Sequence, residues 1–362
     1  MNLLQEFNQD DFGQLVADAQ ACIRCSEMQN CKRVLTDANG SPNSQILFIG
    51  EAPGRLGAER TVVPFHGDTA GENFDKLLRL AGFGRRDIFV TNAVLCNPTD
   101  EKGNNRPPST ENIKNCSILL ERQIQTINPE IVVTLGAKAL LALNYIAAHD
   151  LQISTAVRTK NDWFGRTLIP LYHPGARAMI HRNFATQTAD YYFLNEQFRR
   201  LSRKKRGNIP LAPVNRSGWK VVEYVLSKLG TVSLFKLHKI LYLLDYRSGI
   251  EQNFPITDFF YIRQKDGPYC VELGTKWYRD FPFVKVKFES GKPFVHWLDA
   301  GLFQDTIALE PKVQSFVDNL LDELSRLTDP ELKTRAYLTR PMKNALRAEK
   351  QGMSGLNRAL LA

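Results

Sequence analysis

Ile46-Leu47-Phe48-Ile49-Gly50-Glu51-Ala52-Pro53-Gly54 is a short apolar run that breaks off into glycine, a carboxylate, proline and a second glycine. Four consecutive apolar residues, bounded by turn formers, predict a strand buried on both faces rather than one with a wet side. Working outward, similar runs recur at Ile88 to Val94, Ile131 to Leu135 and Leu168 to Tyr172. Between them, Asn73 to Leu80, Glu111 to Ile127 and Ala137 to Tyr145 carry apolar residues at helical spacing, with Ser109 and Thr110 available as a cap before the second. Strand and helix in alternation predict an α/β class: a parallel sheet with helices on both faces, an α/β/α sandwich.

The chain has 362 residues, more than one core usually organises, so two domains are expected. A hydrophobic content of 43% with 23% charged residues excludes a wholly disordered or collagen-like chain. The longest apolar stretch, Ile131 to Leu143, is interrupted by Lys138 and falls short of the roughly 20 residues that span a bilayer, so no membrane partner is expected. The N-terminus, MNLLQEFNQDD, is acidic and has no secretory-signal pattern; a cytoplasmic location with reduced thiols is the expectation. A formal charge of +9 favours an anionic partner, because each phosphate neutralised by Lys or Arg releases counterions.

In open α/β sheets ligands sit beyond the carboxyl ends of the strands. Here those ends are polar: Gly50 to Gly54 after the first run, Thr91-Asn92 within the second, Gly136 after the third, His173-Pro174-Gly175 after the fourth. Four of the six cysteines, Cys22, Cys25, Cys96 and Cys116, form a close pair followed by two distant single positions. Reduced thiols so arranged suit metal binding, either tetrahedral zinc or an iron–sulfur cluster. Cys31, six residues after Cys25, competes for the fourth ligand position, and Cys270 reads as a buried small hydrophobe.

Taken in order, Cys22-x2-Cys25, GEAPG (50–54), PFHGDTAG (64–71), TNAVLC (91–96), Cys116, VTLGA (133–137) and YHPGAR (172–177) resemble the family 4 and family 5 uracil-DNA glycosylases over roughly the first 200 residues. GEAPG resembles family 4, whereas residues 57–71 are closer to family 5. The resemblance implies a sandwich of the uracil-DNA glycosylase type with a structural 4Fe-4S cluster on Cys22, Cys25, Cys96 and Cys116. It implies an enzyme that acts on DNA, flips uracil out of it and hydrolyses the glycosidic bond, leaving an abasic site. Phe65 would stack on the extruded base, with Gly50 and Ala52 against it, and the Asn92 amide would read the O4 and N3–H edge. His173 would donate to O2 as the base leaves as an anion. Asp68 would position water and Glu51 would shape the pocket near C5, with Glu59 a second-rank carboxylate. Arg177 or Met179 would wedge into the vacated space, with Arg182 on the same DNA-binding loop. His66 and Val62-Val63 depart from the relatives' pattern beside the pocket. A modified pyrimidine of phage DNA, removed as a defence effector, is therefore a second substrate reading. A non-catalytic DNA-binding regulator of a toxin–antitoxin-like system is a third.

The expected organisation is a glycosylase-like domain over 1–205, a basic, proline-containing linker over 206–214, a second, mainly helical α+β domain over 215–345, and a tail over 346–362. In the second domain Leu237, Ile240, Leu241 and Leu244 keep helical spacing, and Val313, Phe316, Val317, Leu320 and Leu321 do so again. Ile256 to Ile262 reads as a strand, and Val284 to Phe288 with Phe294 to Trp297 as a hairpin about Ser290-Gly291-Lys292. FKLHKILYLLDY (235–246), FPIT (254–257) and KDGPYCVEL (265–273) resemble the Panacea, SocA-like antitoxin module, which implies recognition of a protein partner.

Overall fold

The computed structural model describes residues 9–206, 218–252, 255–257, 259–274, 284–298, 308–351, 356 and 358–361. The chain divides into two compact units, Met1–Leu211 and Ala212–Ala362. Most of the expected linker, from residue 207 on, lies outside the described residues.

The first unit runs α1 (Gln9–Gln20), β1 (Ile46–Gly50), α2 (Ala58–Thr61), α3 (Thr69–Ala81), β2 (Ile88–Asn92), α4 (Thr110–Ile127), β3 (Ile131–Leu135), α5 (Ala137–Leu143), α6 (Ile153–Ala156), β4 (Asn161–Trp163), β5 (Arg166–Leu171), α7 (Ala176–Met179) and α8 (Phe184–Arg206). Its sheet has the order β2-β1-β3-β5-β4. The first four strands in that order are parallel, in register Ile46 with Ile88 and Ile131, and Ile131 with Thr167. The edge strand β4 is antiparallel to β5, an element with no apolar run of its own to announce it.

Strand alternation divides the apolar residues between two cores. Ile46, Phe48, Ile88, Val90, Ile131 and Val133 meet Phe74, Leu77 and Leu78 of α3 and Tyr191 and Leu194 of α8. Leu47, Ile49, Phe89 and Val132 meet α1, α4 and α5 through Leu15, Leu120, Ile124 and Leu140. The result is the three-layer sandwich expected from the continuous apolar runs.

Helix ends are set by local chemistry. Asp68 Oδ1 accepts from the Gly71 amide at 2.9 Å and caps α3, which stops at Gly82 in the left-handed region (φ 80°). Ser109 and Asn112 exchange backbone-to-side-chain bonds of 3.1 and 3.0 Å at the start of α4, the cap the sequence offered. β2 ends at Asn92, two residues before its apolar run does, because Ala93 and Val94 turn to donate to the carbonyls of Gly50 and Glu51.

The second unit runs α9 (Gly218–Leu229), β6 (Thr231–Ser233), α10 (Leu234–Glu251), β7 (Tyr261–Gln264), β8 (Gly267–Cys270), β9 (Val284–Glu289), β10 (Lys292–Trp297), α11 (Pro311–Ser325), α12 (Asp329–Tyr337), α13 (Arg340–Lys350) and β11 (Ala359–Leu360). Two antiparallel sheets, β6-β10-β9 and β11-β7-β8, flank α10, whose Leu237, Ile240, Leu241 and Leu244 are fully buried. The β9–β10 hairpin turns on Ser290 and Gly291, both at positive φ, as a two-residue turn demands.

Two expectations are corrected here. The strand read over Ile256 to Ile262 begins only at Tyr261, because Thr257 is held by the buried Asp245 of α10 through its amide (2.7 Å) and hydroxyl instead of by a ladder. The segment read as a tail belongs to the unit: α13 reaches Lys350, and Ala359–Leu360 pair with β7. Among the described residues no helix is long and apolar enough to cross a membrane.

Candidate active site

β1 and β2 end side by side, Gly50 opposite Asn92, and this places the first polar residues after each strand together. A Cβ at position 50 would strike the Phe65 ring at 2.7 Å and collide with the Asn92 amide oxygen, so ring and amide both lie directly against the Gly50 backbone. Only glycine leaves room for them. Phe65 itself stands at φ 48°, and its ring centroid is 5.5 Å from that of His173, tilted by 40°. His173 follows β5 and packs its Cβ over the Gly136 position at the end of β3. Phe65, Asn92, Gly50 and His173 thus lie together at the carboxyl ends of the strands. Ala52, also read as a base contact, is partly buried and packs against the α1–α4–α5 core.

His173 is half-buried, and desolvation pulls its pKa down to about 4, against an opposing influence from the nearby Asp68 carboxylate. The imidazole is therefore neutral near pH 7. The Gly175 amide donates to Nδ1 at 3.0 Å, so Nδ1 is the acceptor and the single ring proton sits on Nε2.

The two expected carboxylates differ. Asp68 has one oxygen engaged as the α3 cap, while a Cβ at Gly57 would collide with the other and a Cβ at Gly54 would come within 3.0 Å of it. Burial raises the pKa of Glu51, and the charges of Lys138 and Arg177 oppose that rise. Glu59 does not join them: it accepts from the Lys32 amide at 3.0 Å, tying α2 to the cysteine-bearing loop. His66, flagged as a departure beside the pocket, is set near buried Arg85 and near Arg60. Burial first, then those two charges, pull it down to about 3.

In the loop after His173, Arg182 bonds the buried Asp190 through Nε and Nη2, both at 2.5 Å, and lies over the Tyr172 ring, so it anchors the loop while remaining partly exposed. Arg177 is exposed. Met179 is half-buried, its sulfur accepting from Asn73 Nδ2 at 3.8 Å, whereas the next residue, Ile180, is 81% exposed. Ile180 gave no sequence signal beyond being apolar in a polar loop. Arg85 and Asp75, a buried ion pair behind Phe65, were also missed, because neither lies in a recognisable motif.

Cys22, Cys25, Cys31, Cys96 and Cys116 all pack, half-buried and without disulfides, against the α1–α4–α5 core. Cys25 Sγ accepts from Asn112 Nδ2 at 3.8 Å and Asn115 Nδ2 at 3.7 Å. Burial pushes the Cys116 thiol up to about 12, and Cys22 and Cys25 add to the rise. Cys96 is pushed up by Cys31, burial and Cys116, while Arg33 opposes. Cys31 also donates to the Asn97 carbonyl at 3.3 Å. No set of three or more His, Cys, Asp or Glu among the described residues is arranged to hold a metal ion.

Residues 38–198 match the model of the uracil DNA glycosylase superfamily. The type-4 uracil-DNA glycosylase of Thermotoga maritima is 32% identical over 170 residues, covering 46% of this chain and 84% of that protein. The type-4 enzyme of Saccharolobus solfataricus is 34% identical over 169 residues, 45% of this chain and 75% of that protein. A type-5 uracil-DNA glycosylase of Pyrobaculum aerophilum is 30% identical over 117 residues, 29% of this chain and 50% of that protein. With relatives at 32% and 34% identity matched over 84% and 75% of their length, the chain belongs to the uracil DNA glycosylase superfamily.

Proposed function

We propose that the chain is a monofunctional DNA glycosylase that extrudes uracil from DNA and hydrolyses the bond between its N1 and C1′ of the sugar. The observation that carries this reading is the shared pocket of Phe65, Asn92 and a neutral His173 whose proton is on Nε2. The extruded base stacks on Phe65, which offsets part of an unstacking cost of a few kcal/mol. The Asn92 amide donates to O4 and accepts from N3–H; the amino group of cytosine would face its donor and be rejected. As the N1–C1′ bond breaks, its electron pair moves into the uracil ring. His173 Nε2–H then meets charge at O2 that exists only late in the reaction, which makes its contribution catalytic rather than a matter of binding.

The Asp68 oxygen not bonded to Gly71 orients the water that adds to C1′, and its charge stabilises the oxocarbenium-like sugar. Glu51 lines the pocket toward C5 of the base. Ile180 takes the wedge role, as the exposed apolar side chain of the loop, and Arg177 meets a phosphate. Cys22, Cys25, Cys96 and Cys116, the four thiols that the resemblance assigns to a 4Fe-4S cluster, would on binding one gain a structural cross-link between α4, the 22–25 turn and the segment after β2. In the second unit the resemblance to the Panacea module is carried by α10 and the β7–β8 hairpin; we read it as a scaffold for a protein partner.

The test is a panel of duplex oligonucleotides bearing uracil, cytosine or bulky 5-substituted pyrimidines, cleaved at abasic sites with alkali after incubation. Release from the uracil strand alone is the expected result. Release only from a 5-substituted base would move the substrate to modified DNA, and no release from any strand would leave a binding protein.

A further inference from the structure

Phe65 occupies a backbone conformation that residues with side chains avoid, φ 48°, and something must hold it there. The carbonyls on either side of its Cα identify what does. Arg85 Nη1 donates to the Pro64 carbonyl at 3.0 Å and Nη2 to the Phe65 carbonyl at 2.7 Å, so one planar fork fixes two successive peptide groups. The guanidinium is itself fixed on its remaining edge by Asp75 of α3, Nε to Oδ1 at 2.7 Å, and lies 4.9 Å over the Phe74 ring. Phe74 in turn packs on Phe65 with centroids 4.8 Å apart. Gly71 completes the arrangement, because a Cβ there would collide with the Phe65 carbonyl that Arg85 holds. Arg85 is only 4% exposed, and it does not reach the face of Phe65 that meets His173. A buried arginine that served only to fill the core would be replaceable by an apolar side chain of similar volume. One whose two terminal nitrogens hold the carbonyls on either side of a strained aromatic, with Nε held by Asp75, has a directional task.

We propose that Arg85, oriented by Asp75, is a positioning residue that holds the Phe65 ring at the angle from which it stacks on the extruded base. The inference rests on the glycosylase reading and deepens it: Arg85 acts only when there is a base to stack. A lysine offers a point charge without the fork, and methionine offers neither. Arg85→Met is expected to lower the single-turnover rate of uracil release by about tenfold or more, which corresponds to about 1.4 kcal/mol of transition-state stabilisation. Arg85→Lys should recover only part of that loss. Affinity for a duplex carrying a tetrahydrofuran abasic analogue, which has no base to stack, should stay within about twofold of wild type.

The decisive measurement is a cycle of Phe65→Ala, Arg85→Met and the double variant on the full chain, with the thermal midpoint of each recorded. If Arg85 acts through the ring, Arg85→Met costs nothing further once Phe65 is gone. Losses that multiply, or tetrahydrofuran-duplex affinity that falls in step with the rate, overturn the proposal. So does unfolding of both Arg85→Met and Arg85→Lys at the assay temperature, which would make Arg85 a core support. If wild type releases no uracil while every variant folds, it is the glycosylase reading that fails.

Discussion

At the residue scale, neighbours decide which atom of His173 acts. For His173 that atom is Nε2, because the Gly175 amide occupies Nδ1. His173→Gln should cut the single-turnover rate by about 100-fold or more, the usual loss for one donor at a developing oxyanion, with little change in affinity for a tetrahydrofuran duplex. The same residue sets a pH dependence of stability. With the folded-state pKa near 4 and the unfolded value near 6.5, the unfolded chain binds the extra proton between those limits. His173 therefore lends stability that is complete above about pH 6.5 and is lost as pH falls toward 4, by a few kcal/mol in order of magnitude. His66, pulled down to about 3, acts in the same direction over a wider window. Melting midpoints of wild type and His173→Gln should converge as pH falls from 7 to 4; parallel curves would show that His173 is not buried as a neutral group. Ile180→Ala should slow release from duplex DNA several-fold and leave single-stranded uracil DNA nearly unaffected, since only a duplex has a gap to fill. Equal losses on both substrates would remove Ile180 from the wedge role. Gly50, Asn92 and His173 were legible as candidates because they stand at the ends of apolar runs, whereas Phe65 and Asp68 came only from the resemblance carried by residues 64–71. The ion pair of Arg182 was not legible because its partner Asp190, eight residues on, becomes a neighbour only through the turn into α8.

At the scale of elements, α3 connects several parts of the site. Its cap is Asp68, its fourth residue from Thr69 is the Asp68-bonded turn's Glu72, and Asp75 one turn further on holds Arg85. Capping and catalysis on one carboxylate separate by substitution. Asp68→Asn keeps a good N-cap, so stability should change by less than about 0.5 kcal/mol while the rate falls by tenfold or more. Asp68→Ala loses both, including about 1 kcal/mol of helix stability. A fully active Asp68→Asn would reduce Asp68 to a cap. The sheet was readable at this scale because its strands are buried on both faces and carry unbroken apolar runs. β4 was not, since Asn161-Asp162-Trp163 is a short edge strand defined by its pairing with β5. The late start of β7 was hidden for another reason: Asp245, on α10, satisfies the Thr257 amide from a distance in sequence that no local pattern reports.

At the scale of the molecule, the superfamily match ends at residue 198 and the first compact unit at Leu211, so base release should belong to that unit. A fragment of residues 1–211 is expected to release uracil within a few-fold of the full chain's rate; a loss beyond about 100-fold would give the second unit a share in the reaction. The formal charge of +9 bears on DNA affinity as a whole, which should weaken steeply between 50 and 200 mM salt in proportion to the phosphates neutralised. The most direct test of the account is a crystal structure of the His173→Gln protein soaked with free uracil. It should show the ring stacked on Phe65, O4 and N3 on the Asn92 amide, and O2 facing the position of residue 173. Uracil bound elsewhere, or a pocket that stays closed to it at saturating concentration, would contradict the claim that these strand ends form a base-reading site.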